Sequence, residues 1–359
     1  MNYRNTLLLA ESALGAAGTE IIDVAVKDVI SRITLAWRVT QAGHGMDSYC
    51  HKDITKIELV DGSDVLFSMD GGQCQALCIY DRRVPTMNHG QAMDVSSGYS
   101  TYGIDFGRFL HDPVLALDPT RFRNLQLKVT YDRDVMDTGA TAGALEVWAD
   151  VFDEKVVTPI GFLMSKEIYN AVPPASGYRY IDLPTDFPVR KMLVQGYLSA
   201  YEPWYTVKTV KLSEDNDKRI PFDLDMEDYY RVRKGVDSPI QENVVSRYAG
   251  GTLSLYCTPT DYWATLALAP YNPTSSTAYT CANRGGVFAI SGGAGLGQFQ
   301  GIVQGWLPNH CFQFPFGDQQ DIDDWYDVAK LGSLKLRLEV GTYSASATMA
   351  AILQQLRRY

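Results

Sequence analysis

The stretch DQQDIDDWYD, residues 318–327, crowds carboxylates into one short segment. Two carboxylates held at a fixed separation across a cleft cleave glycosidic bonds, and several oxygen donors on one loop hold Ca2+. Neighbours along a loop fix no such separation, and the run lacks the D-x-[DN]-x-[DN]-G order of a calcium loop, so it reads as a solvated acidic turn with no cofactor expected. The histidines His44, His51, His89, His111 and His310 are scattered, and the His44, Cys50, His51 group has no metal-site spacing. The six cysteines, Cys50, Cys74, Cys78, Cys257, Cys281 and Cys311, include no C-x-x-C pair and read as free buried thiols. Cys311 follows His310, but a thiol nucleophile needs a base near in space, which adjacency along the chain does not provide. GGAGLGQFQG at 292–301 lacks the G-K-[ST] ending of a phosphate loop, and no G-x-S-x-G appears. The chain is therefore not expected to be an enzyme.

The elements that would position any site are mostly strands. ISRITLAWRV, ITKIELV, LQLKVTY, ALEVWADVF, RKMLVQGYL, TVKTVKL, GTLSLYC and LKLRLEV are short, rich in β-branched and aromatic residues, and many alternate apolar with polar. Turn signals stand between them at Asp61-Gly62, Gly71-Gly72, 214–217 and 271–276. Helical spacing is scarce; Asn2 to Leu14 is the one segment that offers a helical face, through Leu7, Leu8, Leu9 and Leu14. With a net charge of -10 over 359 residues, the chain does not read as a nucleic-acid-coating protein, which would cluster Lys and Arg. No apolar run is long enough to span a bilayer as a helix. TLLLAESALGAAG lacks a signal-peptide layout, which places synthesis and folding in a cytoplasm.

Three blocks recur in the same order. GTEIIDVAVKDVISRITLAWRV from Gly18 matches GYRYIDLPTDFPVRKMLVQGYL from Gly177, with Arg32 and Arg190 opening an alternating strand. ITKIELVDGSDVLFSMD matches VKTVKLSEDNDKRIPFDLD as strand, acidic turn, strand. FGRFLHDPVLALDPTRFRNLQLKVTY matches FGDQQDIDDWYDVAKLGSLKLRLEVGTY, each running from Phe-Gly to a strictly alternating strand. An ordered set of three marks an internal duplication. The expected architecture is all-β: two tandem eight-stranded jelly-roll sandwiches, with a short N-terminal helix and a long insertion in the second. The boundaries read as an arm or helix at 1–17, a first sandwich at 18–158, a linker at 159–176 and a second sandwich at 177–359. The second copy carries roughly 50 extra residues, at about 236–304, and long insertions in a sandwich loop tend to carry function. SATMAAILQQLRRY has helical propensity, yet the repeat sets it in the place of ALEVWADVF, as a strand.

Two jelly rolls in one chain, with a long loop on one, resemble the double jelly-roll major capsid proteins of tailless icosahedral viruses, among them the membrane-containing tectivirus-, corticovirus- and Flavobacterium lipid-phage-like groups. DPVLALDPTRFRNLQLKVTYD followed by ALEVWADVFDE is similar to the late-strand region of that family. The resemblance implies a pseudo-hexagonal homotrimer that tiles a virion shell and meets neighbouring capsomers, minor capsid and penton proteins. An internal lipid membrane is a further partner it implies. It makes the insertion an outward tower, and Tyr256, Tyr262, Trp263, Tyr271 and Tyr279, each with an apolar body and a polar tip, suit a contact surface there. It also makes Leu7, Leu8, Leu9 and Leu14 an arm facing a membrane or a neighbour. Two other readings fit a β-sandwich: a carbohydrate-binding or carbohydrate-cleaving protein, and a trimeric receptor-binding spike. Neither requires two similar sandwiches in tandem.

Overall fold

Strand alternation becomes sheet wherever one side of the strand meets a core. The computed structural model describes residues 1–41, 46–84, 88–89, 97–246, 252–270, 280–291, 299–343 and 345–359. The first half runs β1 (Tyr3–Leu14), β2 (Ala17–Asp23), β3 (Ile30–Thr40), β4 (Ile54–Asp61), β5 (Asp64–Met69), α1 (Gly71–Arg82), β6 (Asn88–His89), β7 (Ser97–Asp105), β8 (Leu125–Asp132) and β9 (Ala142–Phe152). Its sheets have the orders β1-β9-β3-β7-β6 and β2-β8-β4-β5. The second half runs β10 (Gly161–Ala171), β11 (Tyr178–Asp182), β12 (Val189–Tyr197), β13 (Val207–Glu214), β14 (Arg219–Asp225) and α2 (Met226–Lys234). After an insertion it resumes with β21 (Cys311–Pro315), β22 (Leu334–Val340) and β23 (Thr348–Arg358). Here the orders are β10-β23-β12-β21 and β11-β22-β13-β14, the same topology as the first half once the short β6 is set aside. Each half is a jelly roll, and each carries a helix after its fifth strand.

The two jelly rolls share a sheet. β5 pairs in parallel with β10 at Ser165↔Phe67 and Lys166↔Ser68, which joins half of each sandwich into one eight-stranded sheet. Strands of the second jelly roll in that sheet are covered on both faces. Met192 and Val194 of β12 and Met349, Ala351 and Leu353 of β23 enter the core of the second half, while Leu193, Ala350 and Ile352 between them belong to the core of the first. Burial on both faces demands a continuous apolar run instead of alternation. That is why MAAIL on β23 has helical composition and still forms a strand, as the repeat requires. Its counterpart β9 has one buried face and alternates, with Leu145, Val147, Ala149 and Val151 inside.

Four expectations need correction. The N-terminal segment is a strand, not a helix: β1 pairs antiparallel with β9 from Tyr3↔Phe152 to Leu14↔Gly143. Its register shifts between Leu7 and Leu9 and again between Leu9 and Ser12. Such irregularities let the consecutive Leu8 and Leu9 both pack against the first core, which hides the two-residue period. Residues 1–17 are thus not a separate arm; β1 is the first strand of the first jelly roll. Most of the supposed linker at 159–176 is β10, the first strand of the second jelly roll, so Pro173-Pro174 connects β10 to β11 inside that sandwich. Finally, Gly71-Gly72 is no turn. It opens α1, where Asp70 caps the N-terminus, accepting from the Gln73 amide at 2.7 Å, while the Gln73 side chain accepts from the Asp70 amide.

The glycines are required there by close approach. A Cβ at Gly71 would lie 2.6 Å from the His51 carbonyl oxygen, and one at Gly72 would lie 2.6 Å from the His51 ring. Gly71→Ala is expected to lower stability by about 1–3 kcal/mol, the range for overpacking a filled site. A fall in the urea midpoint with an unchanged slope checks it; an unchanged midpoint would mean that α1 does not sit this close to the first sandwich.

Candidate functional site

Buried polar contacts gather where the two jelly rolls and the insertion meet. The insertion contributes β15 (Ile240–Ser246), β16 (Thr252–Tyr256), β17 (Thr265–Pro270), β18 (Thr280–Arg284), β19 (Val287–Ser291) and β20 (Phe299–Gly305). These form two three-stranded sheets, β15-β20-β17 and β16-β19-β18, around their own core of Val244, Leu253, Leu255, Phe288, Ile290, Phe299 and Val303. The insertion thus folds as a small body on the loop between the fifth and sixth strands of the second jelly roll, close to the limits read from the sequence.

The joint below it is polar and buried. Asp81, near the end of α1, receives Arg190 Nη1 at 2.8 Å, Lys191 Nζ at 2.7 Å and Gln354 Nε2 at 2.9 Å. All three charged side chains are 2–3% exposed. Burial opposes the Asp81 charge, but the Arg190 and Lys191 cations outweigh it and hold the carboxyl well below the usual carboxylate range. Burial pushes the Lys191 ammonium down against the pull of Asp81. Further along α1, Gln73 Nε2 donates to Gln195 Oε1 at 3.2 Å and Asn309 Nδ2 donates to the Gly72 carbonyl at 3.0 Å. One helix of the first jelly roll is therefore bonded to strands of the second and to the end of the insertion.

A second cluster joins the same three parts. Tyr49 donates its hydroxyl to the Gly285 carbonyl at 2.7 Å, and its ring lies 5.4 Å from His51 and 5.5 Å from His310. Lys52 Nζ sits 3.4 Å from the centre of the Tyr197 ring, which is itself 5.1 Å from His310. Burial, then the nearby Lys52 cation, pushes His310 down to about 3; burial, Lys52 and His310 drive His51 well below its usual value. Both imidazoles are neutral at pH 7.

These groups are engaged in contacts between the parts. Burial raises the thiols of Cys50, Cys74, Cys78, Cys257 and Cys311, so none is an available thiolate. Among the described residues, no group of three or more His, Cys, Asp or Glu side chains is placed to hold a metal ion. In the acidic run, Asp318 accepts from the Gln320 amide, Asp321 from the Asp323 amide and Asp324 from the Asp318 amide, which are turn caps.

The residues singled out from the sequence go to different places. Trp263 is 58% exposed, with Lys234 Nζ 5.2 Å from its ring. Tyr256 instead packs against the first core beside Tyr49, and Tyr262 against the second beside Trp204 and Tyr230. Tyr271, Tyr279, His44 and the glycine-rich residues 292–298 lie outside the described residues. Leu8, Leu9 and Leu14 face the first core, and only Leu7, 43% exposed, faces outward. Sequence reading missed α1, α2, Asp81 and Lys191. The capping pattern of Asp70 with Gln73 was the available signal for α1; nothing local marks Asp81, because its partners lie over 100 residues away.

Comparison with known proteins gives a likeness of fold. No family model matches the chain, and no curated protein matches it. Among solved structures, the chain resembles the STIV MCP of Sulfolobus turreted icosahedral virus at a TM-score of 0.60 and 10% identity, covering 99% of this chain and 97% of that one. It resembles the major capsid protein of bacteriophage PM2 at 0.57 and 10% identity, covering 99% and 98%. PBCV-1 VP54 follows at 0.56 and 10% identity, covering 99% and 94%. The chain has the double jelly-roll fold of these proteins from end to end.

Two outcomes test the joint. Asp81→Asn leaves two buried cations without their carboxylate and is expected to cost about 3–5 kcal/mol in urea unfolding. The triple replacement Asp81→Leu/Arg190→Met/Lys191→Met is expected to be less damaging than Asp81→Asn alone, since it removes the charges together. For His310, the folded value is below the unfolded one, so its share of stability is complete above pH 6.5 and is lost as pH falls below it. His310→Asn should flatten the stability–pH curve between pH 6.5 and 5 by about 1 kcal/mol per pH unit relative to the parent chain. Parallel curves would show that His310 is solvated.

Proposed function

We propose that this protein is a major capsid protein, a structural subunit that assembles as homotrimers into an icosahedral virion shell. The observation that carries the reading is the repetition of one jelly roll within the chain, with matching strand order in both halves, in a fold that spans the whole length of three viral capsid proteins. Three subunits with two similar sandwiches each supply six similar walls, a geometry that suits hexagonal tiling of a closed surface. The joint fits this use. A tile must keep its two halves in fixed relation, and the shared sheet with the buried Asp81 network does so.

In this reading the protein has no catalytic role and resides in the virion capsid. Its partners are other copies of itself and, at the vertices, minor capsid or penton proteins. The insertion is a raised feature between the fifth and sixth strands, with Trp263 on its described surface as a contact residue. An internal membrane is compatible with this arrangement, but Leu8, Leu9 and Leu14 are engaged in the first core and are not its anchor.

Light scattering of the purified protein across a dilution series tests the reading. A mass of three chains that persists on dilution is expected, with hexagonal particles in negative-stain images. A monomer at every concentration, with and without crowding agents, would overturn it.

A further inference from the structure

We propose that the cleft between α1, β12, β21 and residues 236–241 is a docking site for an acidic peptide segment of a partner protein, one that carries an apolar anchor next to its carboxylates. The cleft has a volume of about 410 Å³, within the range of ligand-sized pockets. Part of its wall is apolar and aromatic, formed by Ile79, Tyr80, Pro239, Trp306 and Leu307. Its charges are unbalanced. Arg83, Arg190, Lys191, Arg233 and Lys234 line it, against the carboxylates of Asp81 and Asp237 only.

Those two carboxylates are already engaged. Asp81 is shared by Arg190 and Lys191. Asp237 forms a two-point pair with Arg233 and also accepts from Gln313 Nε2 at 3.0 Å. Lys234 Nζ stands 4.5 Å from the centre of the Trp306 ring, lies within the field of Asp261, and forms no ion pair with a carboxylate among the described residues. Nor does the exposed Arg83, which ends α1 in the left-handed region at φ 54° and so projects from a fixed backbone. A positive cleft on a chain of net charge -10 selects an anion by local field, since the protein as a whole repels one.

The surroundings favour a peptide over a small anion. At the rim, Val84 is 45% and Val236 is 64% exposed, and Val232 on the adjoining turn of α2 is 67% exposed. Apolar contact therefore continues past the cavity, further than a small carboxylate reaches. An apolar side chain in the cleft, with flanking carboxylates on Arg83 and Lys234, satisfies both features at once.

This goes beyond the shell reading, and its test is run on the purified protein whatever its mass, so either can fail alone. The probe is the synthetic peptide Asp-Glu-Asp-Leu-Phe-Asp, titrated calorimetrically at low and high salt. Saturable binding of one peptide per chain is expected, weakened at high salt. The double replacement Arg83→Glu/Lys234→Glu should weaken it about tenfold or more, and Val236→Glu should weaken it independently. Arg83 and Val236 are exposed and Lys234 is half-buried against Trp263 and Trp306, so circular dichroism and mass should be unchanged for Arg83→Glu and Val236→Glu and are checked for the double replacement. The proposal is overturned if Lys-Arg-Lys-Leu-Phe-Lys binds equally, if the variants bind like the parent chain, or if an oligothymidylate or anionic phospholipid vesicles bind this cleft and the acidic peptide does not. It is also overturned if the double replacement changes the oligomeric mass, which would assign the cleft to a second copy of this chain.

Discussion

The structure depends on one sheet that belongs to both halves. Where β5 meets β10, two jelly rolls linked along the chain by residues 153–160 become continuous through backbone hydrogen bonds. The strands beyond that junction lose their solvent face, since α1 and the first core lie on one side and the second core on the other. A sheet covered on both sides cannot present polar residues to water, so β12 and β23 are buried almost throughout and carry continuous apolar runs at Met192–Val194 and Met349–Leu353. The duplication therefore produced two copies of one topology under different solvation. The first copy keeps the alternating pattern of a half-exposed sheet; the second has been filled in.

Polar side chains enter this junction only as partnered sets. Arg190 and Lys191 stand on β12 and would be costly alone, yet Asp81 meets both and Gln354 completes the set. A network of this kind does little for net stability compared with an apolar filling. Its directional bonds do fix the angle at which α1 crosses the second sandwich. The imidazoles of His51 and His310 serve the neighbouring contact as flat neutral rings packed among tyrosines, with Lys52 held by a ring face. These contacts tie the two sandwiches and the inserted body to one another. The cleft with its positive excess lies beside this joint, so any segment bound there touches α1, the second sandwich and the insertion together.

Much of the fold was legible because local chemistry wrote it. ITLAWRV and LQLKVTY alternate since they have one wet face, and the paired Phe-Gly blocks mark the same corner twice because both copies turn there. The position of the insertion followed from unequal spacing between matched blocks. The errors were equally physical. A register shift within β1 put Leu8 and Leu9 side by side on one core, which imitates a helical stripe. Gly71-Gly72 looked like a turn, but glycine is there for contact: His51 leaves no room for a Cβ. Tyr256 and Tyr262 were placed on an outer surface by residue type, while their rings lie against the two cores.

The sequence by itself determined that the chain is built of strands, that it repeats, and where the second copy is interrupted, since these depend on periodicity and composition within a few residues. Only the tertiary structure decided which strands are covered twice, that Asp81 of one half pairs with Arg190 and Lys191 of the other, and that Arg83 and Lys234 line one cleft. Those facts depend on pairs of residues over 100 positions apart, brought together by the parallel β5–β10 contact. A charge carries no mark of its partner along the chain; the partner exists only once the two sandwiches are set side by side.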